Sequence, residues 1–283
     1  MPLIEPMPSL LVEPIVRAAL IEDLGRAGDI TTQAVVPAAA RMTAVIASRQ
    51  AGIVAGTEIG VLAFRLLEPG MGIEVLRRDG ESVAPGEAVL RLDGPARAVL
   101  TAERTALNLM SRLSGIATAT ARLVAAARPH KARITCTRKT TPGLRALEKH
   151  AVRAGGGANH RFGLDDAVLI KDNHIAVAGG VAPAIERARA AIGHLVKIEV
   201  EVDRLDQLDE ALAAGVDAVL LDNMTPALLA DAVRRTGGRA ILEASGRVSV
   251  ETVPAIAATG VDLISAGWLT HSAPILDLGL DVA

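Results

Sequence analysis

The chain has 283 residues, half of them apolar and mostly Ala, Val, Leu and Ile, with two Phe, one Trp and no Tyr; that fits one large or two ordinary domains with a core of small branched side chains. A formal net charge of −2 argues against a phosphate-backbone binder, and the shortage of aromatics against a stacking platform for single-stranded nucleic acid. No apolar run reaches the ~18 residues of a membrane span, "MPLIEPMPSL" is not a signal peptide, and the lone Cys136 cannot form an internal disulfide, so a cytoplasmic protein without a membrane partner is expected.

Residues 8–24 predict a helix, with Leu10, Leu11, Ile15, Val16, Ala19, Leu20 and Leu24 at helical spacing. "GDITTQAVVP" reads as extended. Residues 42–100 read as strand-rich and punctuated by Gly, in "TAVIASR", "GIVAG", "GIEVLRRDG" and "EAVLRLDG". Residues 101–127 form one long helical pattern with a possible break at Ser114-Gly115. The pattern then alternates. Strands are expected at 132–137, 167–171, 197–202, 217–222, 240–244 and 261–266, with helices such as "LDQLDEALAA", "PALLADAVRRT" and "VETVPAIAA" between them. Alternation at this pace means parallel strands with right-handed crossovers, and six such units point to a closed or nearly closed α/β barrel. Neither a G-x-G-x-x-G turn nor a Walker loop is present.

Active sites of such barrels lie at the C-terminal ends of the strands. There the chain carries Arg138-Lys139, Lys171-Asp172-Asn173, Glu201, Asp222-Asn223, Glu243 to Gly246 and Ser265 to Gly267. One side of this order is cationic and the other carboxylate. Between Thr137 and His174 stand seven Lys or Arg against four Asp or Glu, a local net of +3. Arg offers a planar fork for a carboxylate, and Lys a point charge for a phosphate. In "GGGANHR" the glycines allow a tight path that delivers His160 and Arg161. In "KIEVEV", Glu199 and Glu201 share one side of a strand. With Asp222 they could hold Mg²⁺, or they pair with Lys171 or Lys197; the residues alone leave both readings open. No Cys/His spacing suits zinc. "EASGRVS" and "SAGWLTHS", after the last two strands, are placed to close backbone N–H groups on a phosphate. Cys136 reads as a small buried hydrophobe. The mouth is thus expected to take a dicarboxylate, a phosphate and a metal-chelated polyanion, and two anionic ligands at one mouth suggest a transfer reaction.

The stretches "EDLGRAGDITT", "ERTALNLMSRLSGIATAT", "TRKTTPGLRALEKHAVRAGGGANHRFGLDDAVLIKDNHI", "EVEV", "LLDNM", "EASG" and "SAGWLTHSAPILDLGL" resemble the quinolinate phosphoribosyltransferases, also called carboxylating nicotinate-nucleotide pyrophosphorylases. The resemblance runs from about residue 8 to the end. It implies an α/β fold with an N-terminal α/β sandwich domain over 1–112, packed by the tail 272–283, and an incomplete parallel α/β barrel over 113–271. It implies a homodimer or higher homo-oligomer whose active sites are shared between subunits. The reaction implied makes nicotinate mononucleotide, pyrophosphate and CO₂ from quinolinate and phosphoribosyl pyrophosphate, with Mg²⁺, in NAD biosynthesis.

By motif, the resemblance makes Lys139, Lys171, Glu201 and Asp222 catalytic. Arg104 would reach across the subunit interface. Arg138, His160, Arg161 and Lys171 would grip the two carboxylates, with Thr137 beside them, and Lys139 would meet the pyrophosphate. Glu201 and Asp222 would hold the ribose hydroxyls and the Mg²⁺, largely through water and substrate. Ser245, Gly246 and Gly267, with His271 close by, would take the 5′-phosphate. Three positions depart from the family's pattern: Cys136 where Asp is expected, Arg247 where a small or amide residue is usual, and Trp268 where Ala is usual.

Three rival readings remain open. One is the family's relative associated with molybdenum transport, which should lack part of the carboxylate grip, whereas "NHR" and "KDNH" are intact here. Another is a Schiff-base aldolase using Lys171, which needs a Lys of lowered pKa. The third is a non-catalytic sensor, which loss of Glu201 or Asp222 would have signalled.

Overall fold

A computed structural model describes residues 4–282; residues 1–3 and 283, which the expected domains include, lie outside the described residues. In chain order the elements are α1 (Ser9–Leu24), α2 (Ile30–Val35), β1 (Arg41–Ser48), β2 (Gly52–Ile53), α3 (Thr57–Leu67), β3 (Gly72–Val75), β4 (Ser82–Val83), β5 (Ala88–Pro95) and α4 (Ala96–Ala126). They continue with β6 (Arg133–Thr135), α5 (Arg145–Ala154), β7 (Val168–Ile170), α6 (Asp172–Ala178), α7 (Val181–Ala191), β8 (Ile198–Val202) and α8 (Leu205–Ala213). The last are β9 (Ala218–Asp222), α9 (Pro226–Thr236), β10 (Ile241–Ser245), α10 (Val253–Ala257), β11 (Leu263–Ser265), α11 (Trp268–His271) and β12 (Leu278–Val282). No helix among the described residues is long and apolar enough to cross a membrane.

The chain divides into two compact units. The first comprises the chain up to Ala121 with Thr140–Gly156 and the segment from Leu269; the second is Arg122–Lys139 with Gly157–Trp268. The division falls inside α4, as does the expected boundary at residue 112.

The first unit holds an antiparallel sheet in the order β12-β1-β5-β3. The C-terminal strand β12 pairs with β1, Ala44 opposite Val282 and Ser48 opposite Leu278. Three local readings of the sequence are corrected here. "GDITTQAVVP" is not extended, because Asp29 caps α2 by accepting the Thr32 N–H at 2.9 Å. Residues 57–67, inside the stretch read as strands, form α3, whose first N–H groups are taken by Asp79: Gly56 and Thr57 donate at 2.9 Å each. His150 Nε2 lies 2.8 Å from the same carboxylate. Burial would raise the Asp79 pKa, but the His150 contact and these N–H groups outweigh it and hold the carboxyl below its ordinary value. The third correction is that α4 does not break at Ser114-Gly115. Gly115 is there for close approach, since a Cβ would lie 2.1 Å from the Pro274 carbonyl oxygen. Ser114 Oγ instead accepts the Ala55 N–H at 2.9 Å, which ties α4 to the segment before α3.

The second unit is a six-stranded, wholly parallel sheet in the order β6-β11-β10-β9-β8-β7. The edge strands β6 and β7 do not pair with each other, so this is the expected incomplete barrel. Beside β6 the chain after the triple glycine adds a single bridge, Thr135 to Ala158. The triple glycine has a packing role as well: a Cβ on Gly155 would meet the Ala117 carbonyl oxygen at 2.3 Å. Its fully buried aliphatics, among them Ile134, Val200, Val219, Leu221 and Ile264, carry the sheet and leave the polar residues of the strands to one face.

Candidate active site

Side chains of adjacent parallel strands in register point to one face. Leu169 pairs with Glu199, Glu201 with Leu220, Leu220 with Glu243 and Glu243 with Leu263. One step further along, Asp222 pairs with Ser245, Ser245 with Ser265 and Ser265 with Thr135. The same face therefore carries Glu199, then Glu201 and Glu243, then Asp222, Ser245, Ser265 and Thr135, in three rows toward the C-terminal ends. Lys171 follows β7 directly and caps α6, where its N–H donates to His174 Nδ1 at 2.9 Å.

Lys171 Nζ stands 3.2 Å from Glu201 Oε2. Of the ion pairs read from "KIEVEV", the one with Lys171 forms, while Lys197 pairs with Asp217 instead. Glu199 goes elsewhere: His160 Nε2 is 2.9 Å from its Oε2 and 3.8 Å from Glu243 Oε2. These three residues bring ligand-type atoms within 4.8 Å of one another, as a metal site could. Glu243 is the buried member, 1 % exposed. Burial, and next the charge of Glu199, push its carboxyl up to about 7, against the opposing effects of His160 and of the neighbouring Ser265 hydroxyl. Sequence reasoning placed Glu243 only among the strand-end residues and read Glu199 with Glu201; the signal for their joint role is two carboxylates on interior strands that must find a partner.

Arg138 and Arg161 come together beside this layer. Burial lowers the Arg161 pKa, and the neighbouring Arg138 charge adds to that, against the smaller opposing effects of Asp166 and Glu199. Arg161 Nη1 donates to the Ala167 carbonyl at 2.9 Å. The Nε atoms of both arginines are buried without a hydrogen-bond partner among the described residues. Buried guanidinium N–H groups left open in this way call for an anion. Thr137 turns the chain after β6, its Oγ1 accepting the Lys139 N–H at 3.0 Å.

At the other side, Asp222 Oδ2 accepts from Asn223 Nδ2 at 2.7 Å. Gly246 has φ +100°, and a Cβ there would lie 2.2 Å from Asn223 Oδ1. The loops after β9 and β10 thus pack against each other only because residue 246 is glycine. Arg247 is also left-handed, at φ +50°. Trp268 Nε1 donates to the Val248 carbonyl at 2.8 Å, which ties the turn that follows Gly267 to the loop after β10. Cys136 is fully buried, and its Sγ donates to Asn159 Oδ1 at 3.3 Å. Arg104 and His271 belong to the first unit; Arg104 is exposed on α4, and His271 Nδ1 lies 2.6 Å from Ser272 Oγ.

Known proteins match the chain over nearly its whole length. Residues 29–114 match the family described as "Quinolinate phosphoribosyl transferase, N-terminal domain" and residues 116–281 match its C-terminal domain. A protein of Mycobacterium leprae named "Nicotinate-nucleotide pyrophosphorylase [carboxylating]" is 48 % identical over 272 residues, covering 94 % of this chain and 95 % of that protein. One of Bacillus subtilis named as probably the same enzyme is 44 % identical over 276 residues, covering 98 % and 95 %. The solved structure of the nicotinate-nucleotide pyrophosphorylase of Francisella tularensis superposes with a TM-score of 0.94 at 40 % identity, covering all of both chains.

Proposed function

The chain belongs to the quinolinate phosphoribosyltransferase family, and from that premise we infer how its residues carry out the family's reaction. It is a decarboxylating pentosyltransferase of NAD biosynthesis. It transfers phosphoribosyl from phosphoribosyl pyrophosphate to quinolinate and yields nicotinate mononucleotide, pyrophosphate and CO₂. The observation that carries the reading is the pair of buried, unpartnered Nε atoms of Arg138 and Arg161, on the same sheet unit as Lys171. Three cations on one unit suit a substrate with two carboxylates.

In this reading Arg138, Arg161 and Lys171 bind and orient the quinolinate carboxylates, so that the ring nitrogen faces ribose C1. Lys171 releases Glu201 in doing so. His160, expected in the same grip, has its ring nitrogens engaged by the Arg161 N–H and by Glu199 and so stands behind Arg161. Breaking the C1–O bond builds oxocarbenium character, which the carboxylates of Glu201 and Asp222 stabilise by charge. Lys139 neutralises the departing pyrophosphate. Attack by the ring nitrogen makes a pyridinium, which accepts the electron pair as the 2-carboxylate leaves as CO₂, and a proton then replaces it at C2. No covalent enzyme intermediate is required, so Lys171 acts as a binder. Ser245, Gly246 and Gly267 form the cradle for the 5′-phosphate.

The donor set at the strand ends fits Mg²⁺. Glu201 and Asp222 stand near the ends of adjacent strands and offer only oxygen, which this hard cation prefers; the buried His160 group, next to Arg161, does not suit it. Mg²⁺, when bound, supplies charge neutralisation for the pyrophosphate. We further place the protein in the cytoplasm as a homodimer or larger homo-oligomer with shared active sites, in which Arg104 reaches a neighbouring subunit.

Purified protein incubated with quinolinate, phosphoribosyl pyrophosphate and Mg²⁺, beside nicotinate as control, tests the reading by chromatography. Nicotinate mononucleotide formed from quinolinate alone is the expected result. Failure with quinolinate, while phosphoribosyl pyrophosphate still binds, overturns it and favours the molybdenum-associated relative. A Schiff base trapped by borohydride on Lys171 would instead favour the aldolase.

A further inference from the structure

The imidazole of His160 has protein partners at both nitrogens. The Arg161 N–H donates to Nδ1 at 2.8 Å, and an accepting nitrogen carries no proton. The ring proton then sits on Nε2, which faces Glu199 Oε2 at 2.9 Å and Glu243 Oε2 at 3.8 Å. Glu199 lies on β8 and Glu243 on β10. The intervening strand β9 puts only Ala218 and Leu220 in the rows between them, so nothing charged on β9 competes for the ring. His160 and Glu199 are 12 % and 13 % exposed at the side chain, and Glu243 is 2 %.

We propose that Glu199 and Glu243 are positioning residues: they fix the His160 ring, and the ring fixes the Arg161 backbone, so that His160 supports the carboxylate grip from beneath. This rests on the place of Arg161 in that grip. Arg161 is then held at two points, its backbone N–H by His160 and its Nη1 by the Ala167 carbonyl. Its guanidinium meets the substrate without first choosing among rotamers, which is how preorganisation lowers the cost of binding. Without the carboxylates the ring is free to turn about its side-chain bonds, and the Arg161 N–H loses its acceptor.

The test is steady-state kinetics of the full-length protein with Glu199→Ala, Glu199→Gln and Glu243→Ala. Glu199→Ala is expected to raise KM for quinolinate about tenfold or more, with KM for phosphoribosyl pyrophosphate within about twofold. Glu199→Gln keeps an acceptor for the ring N–H and is expected to recover quinolinate KM to within about threefold; Glu243→Ala falls between the two. Nitrogen-15 spectra of the parent protein, with the His160 signals assigned by their loss in His160→Gln, should show Nε2–H and unprotonated Nδ1. Their positions should hold when quinolinate is added. A Glu199→Ala enzyme with parental quinolinate KM, or with both KM values raised alike, overturns the proposal. So does an Nε2 signal that moves on adding quinolinate, which makes the ring a direct ligand. The ring's protonation is read without turnover, so it can fail or hold whether or not the parent makes nicotinate mononucleotide. Should Glu199→Ala not fold, Glu199→Gln and the spectra decide.

Discussion

Lys171 Nζ lies 3.2 Å from Glu201 Oε2, so the cation offered to an anionic substrate is already held by a carboxylate. The Lys171 side chain is 48 % exposed, and an ion pair this open contributes only ~0–1 kcal/mol to stability. Lys171→Met is therefore expected to leave the thermal midpoint within about 2 °C of the parent. In the same variant kcat/KM for quinolinate should fall on the order of a hundredfold. Calorimetry and kinetics on one preparation check both, and a large loss of stability with little loss of rate would reverse the assignment.

Glu243 makes stability depend on pH in a stated direction. Its carboxyl is raised from 4.5 to about 7 in the fold, so over that interval the folded state binds more protons than the unfolded one. Stability is fully present below about pH 4.5 and declines as pH rises through 7, by at most about 3 kcal/mol. Glu243→Gln removes this contribution. The difference in unfolding free energy between parent and variant, followed by urea titration from pH 5 to 8, should shift in favour of the variant as pH rises. A difference that is flat with pH would show that the proton is not held there.

The parallel strands were legible because each is a short apolar run ended by a polar residue, and the period of two then gathers Glu201, Asp222 and Ser245 on one face. The helix over 57–67 was not legible, because glycines at 52, 56 and 60 read as turn signals. In the fold Gly60 lies where a Cβ would meet Met110 Sδ at 2.3 Å, so it serves packing rather than a turn. The contact of His160 with Glu199 and Glu243 was beyond sequence reasoning for another reason. These residues are 39 and 83 positions apart, and only the strand order β10-β9-β8-β7 brings them together.

Glu148 tests the first unit on its own. It is fully buried, accepts the Arg112 Nε–H at 2.9 Å and a second, short bond from Arg112 Nη2, and takes the Thr141 N–H at 3.0 Å. Glu148→Ala leaves the Arg112 Nε–H and the Thr141 N–H without their acceptor, while Arg112 Nη2 keeps Thr141 Oγ1 and the Thr270 carbonyl. Loss of one member of such a pair costs about 3–5 kcal/mol, which a urea midpoint at unchanged slope would register. Glu148→Gln, which keeps an acceptor for Arg112, is expected to lose about half as much. Equal losses from the two variants would mean that charge rather than hydrogen bonding holds the site.

The loop after β10 yields a pair of predictions with opposite signs. Arg247 sits at φ +50°, where a side chain other than Gly or Asn is strained by about 1–2 kcal/mol. That gives a backbone reason why an amide or small residue suits this position. Arg247→Gly relieves the strain but frees the unfolded chain, and the net should be a gain of about 0.5–1 kcal/mol. Its neighbour Gly246, at φ +100° with Asn223 Oδ1 only 2.2 Å from a would-be Cβ, tolerates no such change. Gly246→Ala should cost about 1–3 kcal/mol and raise KM for phosphoribosyl pyrophosphate more than KM for quinolinate, because the loop it distorts is assigned to the 5′-phosphate. Thermal midpoints and the two KM values, measured side by side, decide the matter. A destabilised Arg247→Gly would show that the Arg247 side chain makes a contact worth more than its backbone strain.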